Sequence, residues 1–129
     1  MNGSLLDTSV LIASDDGGDL DLPDRAAVSV ISLGELRAGV LRASHASMRA
    51  TRQARLSAVR AAFAPLPVDE TVAEHYGDAL ARARDEGRIV KASDLLIIAT
   101  ASATGRALHT FDRKQAALAR ALGLAVSGV

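Results

Sequence analysis

Apolar residues along this chain come as short runs and as helical stripes, and the two alternate. Residues 4–6, "SLL", predict a short buried strand, and residues 8–13 then begin a helix. Residues 14–24, "SDDGGDLDLPD", are rich in Gly and Asp and predict a loop. Residues 26–31, "AAVSVI", predict a second strand with three β-branched positions. A helix is expected from about Ser32, since Ser32 and Glu35 have capping-box spacing. A second helical segment covers residues 45–63. Residues 66–68 predict an edge strand, because Pro67 cannot donate to a ladder.

Thr71 and Glu74 repeat the capping-box spacing. Val72, Tyr76, Leu80 and Ala83 then mark one helical face, and Gly87 is a natural stop. In "SDLLIIATASATG" the apolar residues run all round the helix, which predicts a position deep in the core. Residues 106–110 predict a further strand, residues 113–122 a helix closed by Gly123, and residues 124–126 a last strand. Strands alternating with helices predict an α/β fold, with a central, mostly parallel sheet of four to five strands flanked by helices on both faces. The 129 residues contain no repeat and no low-complexity linker, so 1–129 is expected to be a single domain.

Composition narrows the chemistry. There is no cysteine, which excludes disulfides, zinc ribbons and thiol nucleophiles. No basic segment leads into an apolar run at the N-terminus, and no run is long enough to span a bilayer, so a cytoplasmic protein is expected. Net charge is zero but uneven. Residues 36–68 contain no acid and six arginines, Arg37, Arg42, Arg49, Arg52, Arg55 and Arg60. The first 35 residues carry seven acids and one arginine. The basic stretch reads either as a solvated helix face or as a track for a phosphate backbone or an acidic partner.

Four acids stand at junctions between elements. Asp7, Glu35 and Asp112 each follow an expected strand, and Asp94 opens the apolar central helix. The carboxyl ends of parallel strands are where open α/β sheets bind ligands. Any one of these acids alone reads first as a helix cap. Taken together, if the first, second and fourth expected strands are neighbours, their carboxylates share one cleft. Crowded anions repel, and a cation relieves that. Oxygen donors without His or Cys suit Mg²⁺ or Mn²⁺. Ser9 and Thr110 are candidates for orienting these carboxylates, with plain packing as the other reading. The three histidines have no metal-ligand spacing: His45 and His75 are expected at the surface and His109 within a strand.

The segments "LLDTSVLIA", "VSVISLGELRAG", "ASDLLIIATA" and "LHTFDRKQ" resemble, in order, the successive motifs of PIN-domain ribonucleases. Among these the chain most resembles the VapC-type toxins of bacterial VapBC toxin–antitoxin systems. The resemblance covers nearly the whole chain and implies a three-layer PIN-like fold. It maps the family's acidic quartet onto Asp7, Glu35, Asp94 and Asp112, the small polar residue of the first motif onto Ser9, and the threonine before the last acid onto Thr110. The chain departs after Asp112, where many relatives carry an aromatic and this one has Lys114, Gln115 and Ala116.

The resemblance implies Mg²⁺- or Mn²⁺-dependent endoribonuclease chemistry, in which metal-activated water hydrolyses a phosphodiester and leaves a 5′-phosphate and a 3′-hydroxyl. Asp7 and Asp94 are expected as direct metal ligands, with Glu35 and Asp112 acting through water or on the nucleophile. Arg49, Arg52 and Arg55 are expected along the RNA backbone. With only Phe63, Tyr76 and Phe111 as aromatics, recognition by RNA shape is expected over base stacking, as in a structured RNA such as tRNA. A cognate VapB-type antitoxin is implied as a partner, docking an apolar helix on the second and third helices, and a homodimer is implied as well. Two other classes stay open. A phosphatase or receiver-type acidic pocket lacks its signature here, since Ser9 stands where Asp-x-Asp needs its second acid. A PIN-like module that binds metal or protein without cleaving RNA is the other.

Overall fold

The computed structural model describes residues 2–13 and 22–129, so most of the loop expected at 14–24 lies outside the described residues. Chain order is β1 (Ser4–Leu6), α1 (Thr8–Ala13), β2 (Ala26–Ala27), α2 (Val30–Leu41), α3 (Ala46–Ala62), α4 (Glu70–Asp85), α5 (Ala92–Ala103), β3 (Ala107–His109), α6 (Arg113–Ala121) and β4 (Val126–Ser127). The four strands form one parallel sheet in the order β2-β1-β3-β4. β1 is therefore flanked by β2 and β3. The condition set by the sequence, that these three strands be neighbours, is met.

Adjacent strand residues point to opposite faces of a sheet, and β1 shows it. Leu5 packs into one cluster with Ala79, Leu95, Ile98, Leu108 and Leu118, drawn from α4, α5, β3 and α6. Leu6 packs into a second with Val10, Val28, Leu36, Val40 and Leu56, on the α1, α2 and α3 side. Helices thus cover both faces. In α5, Leu95 and the run Ile97 to Ala101 are buried, as its all-round apolar sequence requires.

Several expected boundaries move, each for a local reason. The second strand stops at Ala27 because Ser29 caps α2: its backbone is extended and its Oγ accepts the Ile31 amide at 3.0 Å. Ser32 is consequently inside the helix and buried, and is not a cap. Glu35 stands in the second turn of α2, not the first. The strand expected at 66–68 is reduced to one parallel bridge between Leu66 and Ser29. Pro65 and Pro67 flank Leu66 and have no N–H to extend the ladder. α4 is capped by Asp69, whose Oδ1 accepts the Val72 amide at 2.9 Å, so the Thr71–Glu74 capping box does not form. The last strand begins two residues late, since Leu124 still closes α6. Its amide donates to Ala119 O at 3.0 Å across Gly123, whose φ of 86° suits glycine.

Candidate active site

Asp7 follows β1 directly, and its amide donates to the His109 carbonyl at 2.9 Å, locking the ends of β1 and β3 together. The side chain is 3% exposed. A carboxylate that deep needs hydrogen bonds, and this one has them. Oδ2 accepts from Ser9 Oγ at 2.6 Å and from the Ser9 amide at 3.2 Å. Oδ1 accepts from Gln115 Nε2 at 3.1 Å. Thr110 Oγ1 lies 3.0 Å from Asp7 Oδ2 and 2.7 Å from Gln115 Oε1, so its single proton serves one of the two at a time. Ser9 Oγ also accepts the Phe111 amide at 3.1 Å. Ser9 and Thr110 therefore both touch Asp7 Oδ2.

Glu35 reaches the same region from α2. Thr8 Oγ1 donates to Glu35 Oε1 at 2.7 Å and lies 2.8 Å from Ser32 Oγ. With the Thr8 proton committed to Glu35, Ser32 is the donor in the second bond. This relay ties α1 to α2. It gives Ser32 a role different from the cap its spacing suggested.

Asp94 and Asp112 part company over capping. α5 starts after Lys91 with no side-chain cap bond, and Asp94 is its third residue. The capping role that its position suggested is not seen. Asp112 is a true N-cap of α6: its Oδ1 accepts the Lys114 and Gln115 amides at 2.9 and 3.1 Å. Its own amide donates to Thr110 Oγ1 at 3.0 Å, which ties the cap to the Asp7 network.

Electrostatics join the four. Burial pushes the Asp94 carboxyl up to about 6, helped by the nearby charges of Asp7, Asp112 and Glu35, while Lys91 pulls it down. Asp94 thus sits within the field of all three other acids. Among the described residues no three His, Cys, Asp or Glu side chains stand close enough to enclose an ion by themselves. The donor chemistry still fits Mg²⁺ or Mn²⁺. Such ions keep several waters and need only one or two direct carboxylates, and crowded oxygen donors with a carboxyl forced upward are relieved by a divalent charge.

The sequence does not mark Thr8, Ser32 or Gln115 as site residues. Thr8 was hidden within "DTS", where it reads as a helix start. Gln115 stands three residues after an Asp cap, the spacing of a capping box, and its side chain goes instead to Asp7 and, at 3.5 Å, toward the Asp94 carbonyl. Gln115 is thus part of the site.

The three candidate arginines lie on α3, away from the acids in sequence. Arg52 Nη1 donates to the Gly39 carbonyl at 2.8 Å and pins α3 to the end of α2. Arg55 is half-buried, and desolvation lowers its pKa from the usual arginine value. Arg49 is exposed. His45 caps α3, its Nδ1 accepting the Met48 amide at 3.3 Å. His75 is half-buried against Ser102, at 3.0 Å, more enclosed than expected. His109 ends β3 as expected.

A model of the PIN domain matches residues 4–121. The chain belongs to the PIN domain family. This PIN domain is 41% identical over 117 residues to Ribonuclease VapC5 of Mycobacterium tuberculosis, a match spanning 88% of this chain and 86% of that one. It is 44% identical over 100 residues to Ribonuclease VapC8 of the same species, over 75% of this chain and 88% of that one. Its fold superposes on the crystal structure of a VapBC-family member, VapBC-5 from M. tuberculosis, with a TM-score of 0.86 at 36% identity and full coverage of both chains. The α/β architecture expected from the motifs, a parallel four-stranded sheet between helical layers, is that of this PIN domain.

Proposed function

We propose that this PIN domain is a divalent-metal-dependent endoribonuclease, the toxin of a VapBC-type toxin–antitoxin pair. One observation carries the reading: Asp94 caps nothing, yet is held half-buried in the field of Asp7, Glu35 and Asp112. Helix capping does not account for Asp94's place, and a cation would relieve the repulsion it meets there. The names of the relatives, both ribonucleases, supply the substrate class.

Asp7 and Asp94 hold Mg²⁺ or Mn²⁺ directly in this reading, and Glu35 and Asp112 act through water. The ion, when bound, offsets charge at the phosphoryl and leaving oxygens and makes water a better nucleophile. The chain supplies the positioning. Ser9, Thr110 and Gln115 fix both oxygens of Asp7. Thr8 fixes one oxygen of Glu35, leaving the other to receive a proton from the attacking water. Asp112 commits Oδ1 to the α6 amides and keeps Oδ2 for the site.

The antitoxin is assigned to the groove between α2 and α3, a cavity of about 510 Å³ lined by Arg37, Val40, Leu41, Ala46, Arg49 and Ala50. Leu41 there is 62% exposed, a large apolar side chain suited to an apolar helix. The VapBC-5 structure is of a toxin–antitoxin family, which supports a protein partner. An RNA track on α3 rests mainly on Arg49, since Arg52 and Arg55 are engaged within the fold. A homodimer belongs to the same reading. Among the described residues no helix is long and apolar enough to cross a membrane.

The test is cleavage of RNA by the purified protein with and without Mg²⁺ or Mn²⁺, with 5′ ends mapped. Metal-dependent cuts leaving 5′-phosphates are expected, and Asp7→Asn should abolish them. RNA left intact by the folded, metal-supplied parent would leave a PIN domain that binds without cleaving.

A further inference from the structure

The turn between α4 and α5 and the start of α6 flank a second, open cavity of about 450 Å³, which no acid lines and which Arg113 joins to its neighbour Asp112. Arg88, Ile89, Val90, Arg113, Lys114 and Gly87 line it. We propose that this pocket receives an unpaired nucleotide of the RNA next to the cleaved bond, its phosphate on Arg113 and Lys114 and its base or sugar against Ile89. The proposal rests on the nuclease reading above and says where the substrate strand runs.

Charge is the first support. Arg113 and Lys114 are exposed and form no ion pair among the described residues, whereas Arg88 is partly neutralised by Glu86, at 2.7 Å. Their place in α6 is the second. They are its first two residues, where the helix dipole disfavours cations, and no acid stands in that turn beyond the Asp112 cap that precedes it. Two unpaired cations there weaken the helix slightly, and a bound anion offsets that cost. Ile89 is the third. It is 93% exposed at the mouth of a cationic pocket, so it gains burial only when something covers it. A nucleotide matches both demands, with an anionic end and a flat apolar one.

Continuity with the acids is the fourth. Arg113 directly follows Asp112, and the Lys114 amide donates to the Asp112 carboxylate at 2.9 Å. Lys91, the residue that precedes α5, lies just beyond Ile89 and Val90 and three residues before Asp94. A polyanion drawn to these cations therefore places its neighbouring phosphate at the acids.

The experiment compares the parent, the Arg113→Gln/Lys114→Gln double variant and Ile89→Ser. Steady-state cleavage of single-stranded RNA is followed over a range of salt, and RNA carrying a photoreactive uridine is crosslinked to each protein. Removing cations from a helix start should leave Tm equal or slightly raised, so misfolding is checked directly. The double variant should raise KM far more than it changes kcat. Its slope of log KM against log salt should fall by roughly 1.4, about 0.7 for each single-strand phosphate that the variant no longer neutralises. Parent crosslinks should map to residues 87–90, and Ile89→Ser should abolish them. A parent that cleaves RNA beside a double variant of equal KM and equal salt slope overturns the pocket and leaves the nuclease standing. A parent that neither cleaves RNA with Mg²⁺ or Mn²⁺ nor crosslinks to it overturns both. Variants that keep parental RNA kinetics but no longer bind an acidic protein segment overturn it too, in favour of that occupant.

Discussion

Asp94 and Asp112 are the same residue type at the same rim, and they should answer the same substitution differently. Asp94 caps nothing, so Asp94→Asn removes a crowded charge without removing a helix bond. The metal-free protein should melt at the parental temperature or above, while RNA cleavage falls by orders of magnitude. Asp112→Asn keeps an oxygen for the Lys114 and Gln115 amides, whereas Asp112→Ala should cost about 1 kcal/mol. Melting curves beside cleavage rates, variant by variant, check the contrast. Equal cleavage by Asp94→Asn and parent would reduce these acids to structure. Thr8 offers a subtler case. Thr8→Val deletes the donor to Glu35 and strands Ser32, and cleavage should drop roughly 10- to 100-fold, as for other groups that orient metal-site carboxylates. Thr8→Ser should restore most of it. Failure of the serine variant to rescue would mean the loss is one of packing.

Helix α3 separates two kinds of arginine. Arg52 holds the Gly39 carbonyl, so Arg52→Gln should lower stability by about 1 kcal/mol. Arg49 is exposed, and Arg49→Gln should stay within about 0.5 kcal/mol of the parent. Urea midpoints measure both, and equal midpoints would show that the bond to α2 contributes nothing. The acid-free sequence of 36–68 could not make this distinction, because exposure and backbone acceptors are tertiary facts. Helices were legible at this scale, since periodicity and stop glycines act locally: α3 and α6 lie within a residue of their expected ends. Strand ends were less so. "AAVSVI" carries strand propensity throughout, but one serine cap turns its second half into helix. The four acids were legible because the pattern puts each near a strand end or a helix start, although Glu35 stands a turn further into α2 than that pattern implies. Gln115 was not, because its partner Asp7 lies 108 residues away in sequence.

At the scale of the whole molecule, the strand order β2-β1-β3-β4 turns four separated acids into one electrostatic unit, with a consequence for stability. The Asp94 carboxyl stands at about 6 in the fold against an ordinary 3.8. The folded chain therefore keeps a proton over a range where the unfolded chain has released it. This group favours folding most below about pH 4, and its contribution is lost as pH rises through about 6. Metal-free protein should accordingly lose Tm between about pH 4 and pH 6.5, and Asp94→Asn should flatten that decline. Other titrating groups are common to both proteins, so the difference between the two curves isolates Asp94. In the proposed reading Mg²⁺ or Mn²⁺ binds the deprotonated carboxylates of the folded form, so it should raise Tm more at about pH 7.5 than at about pH 5. The Asn variant should gain little from metal at either pH. Parallel parent and variant curves, unmoved by metal, would mean that the acids do not share a pocket in solution.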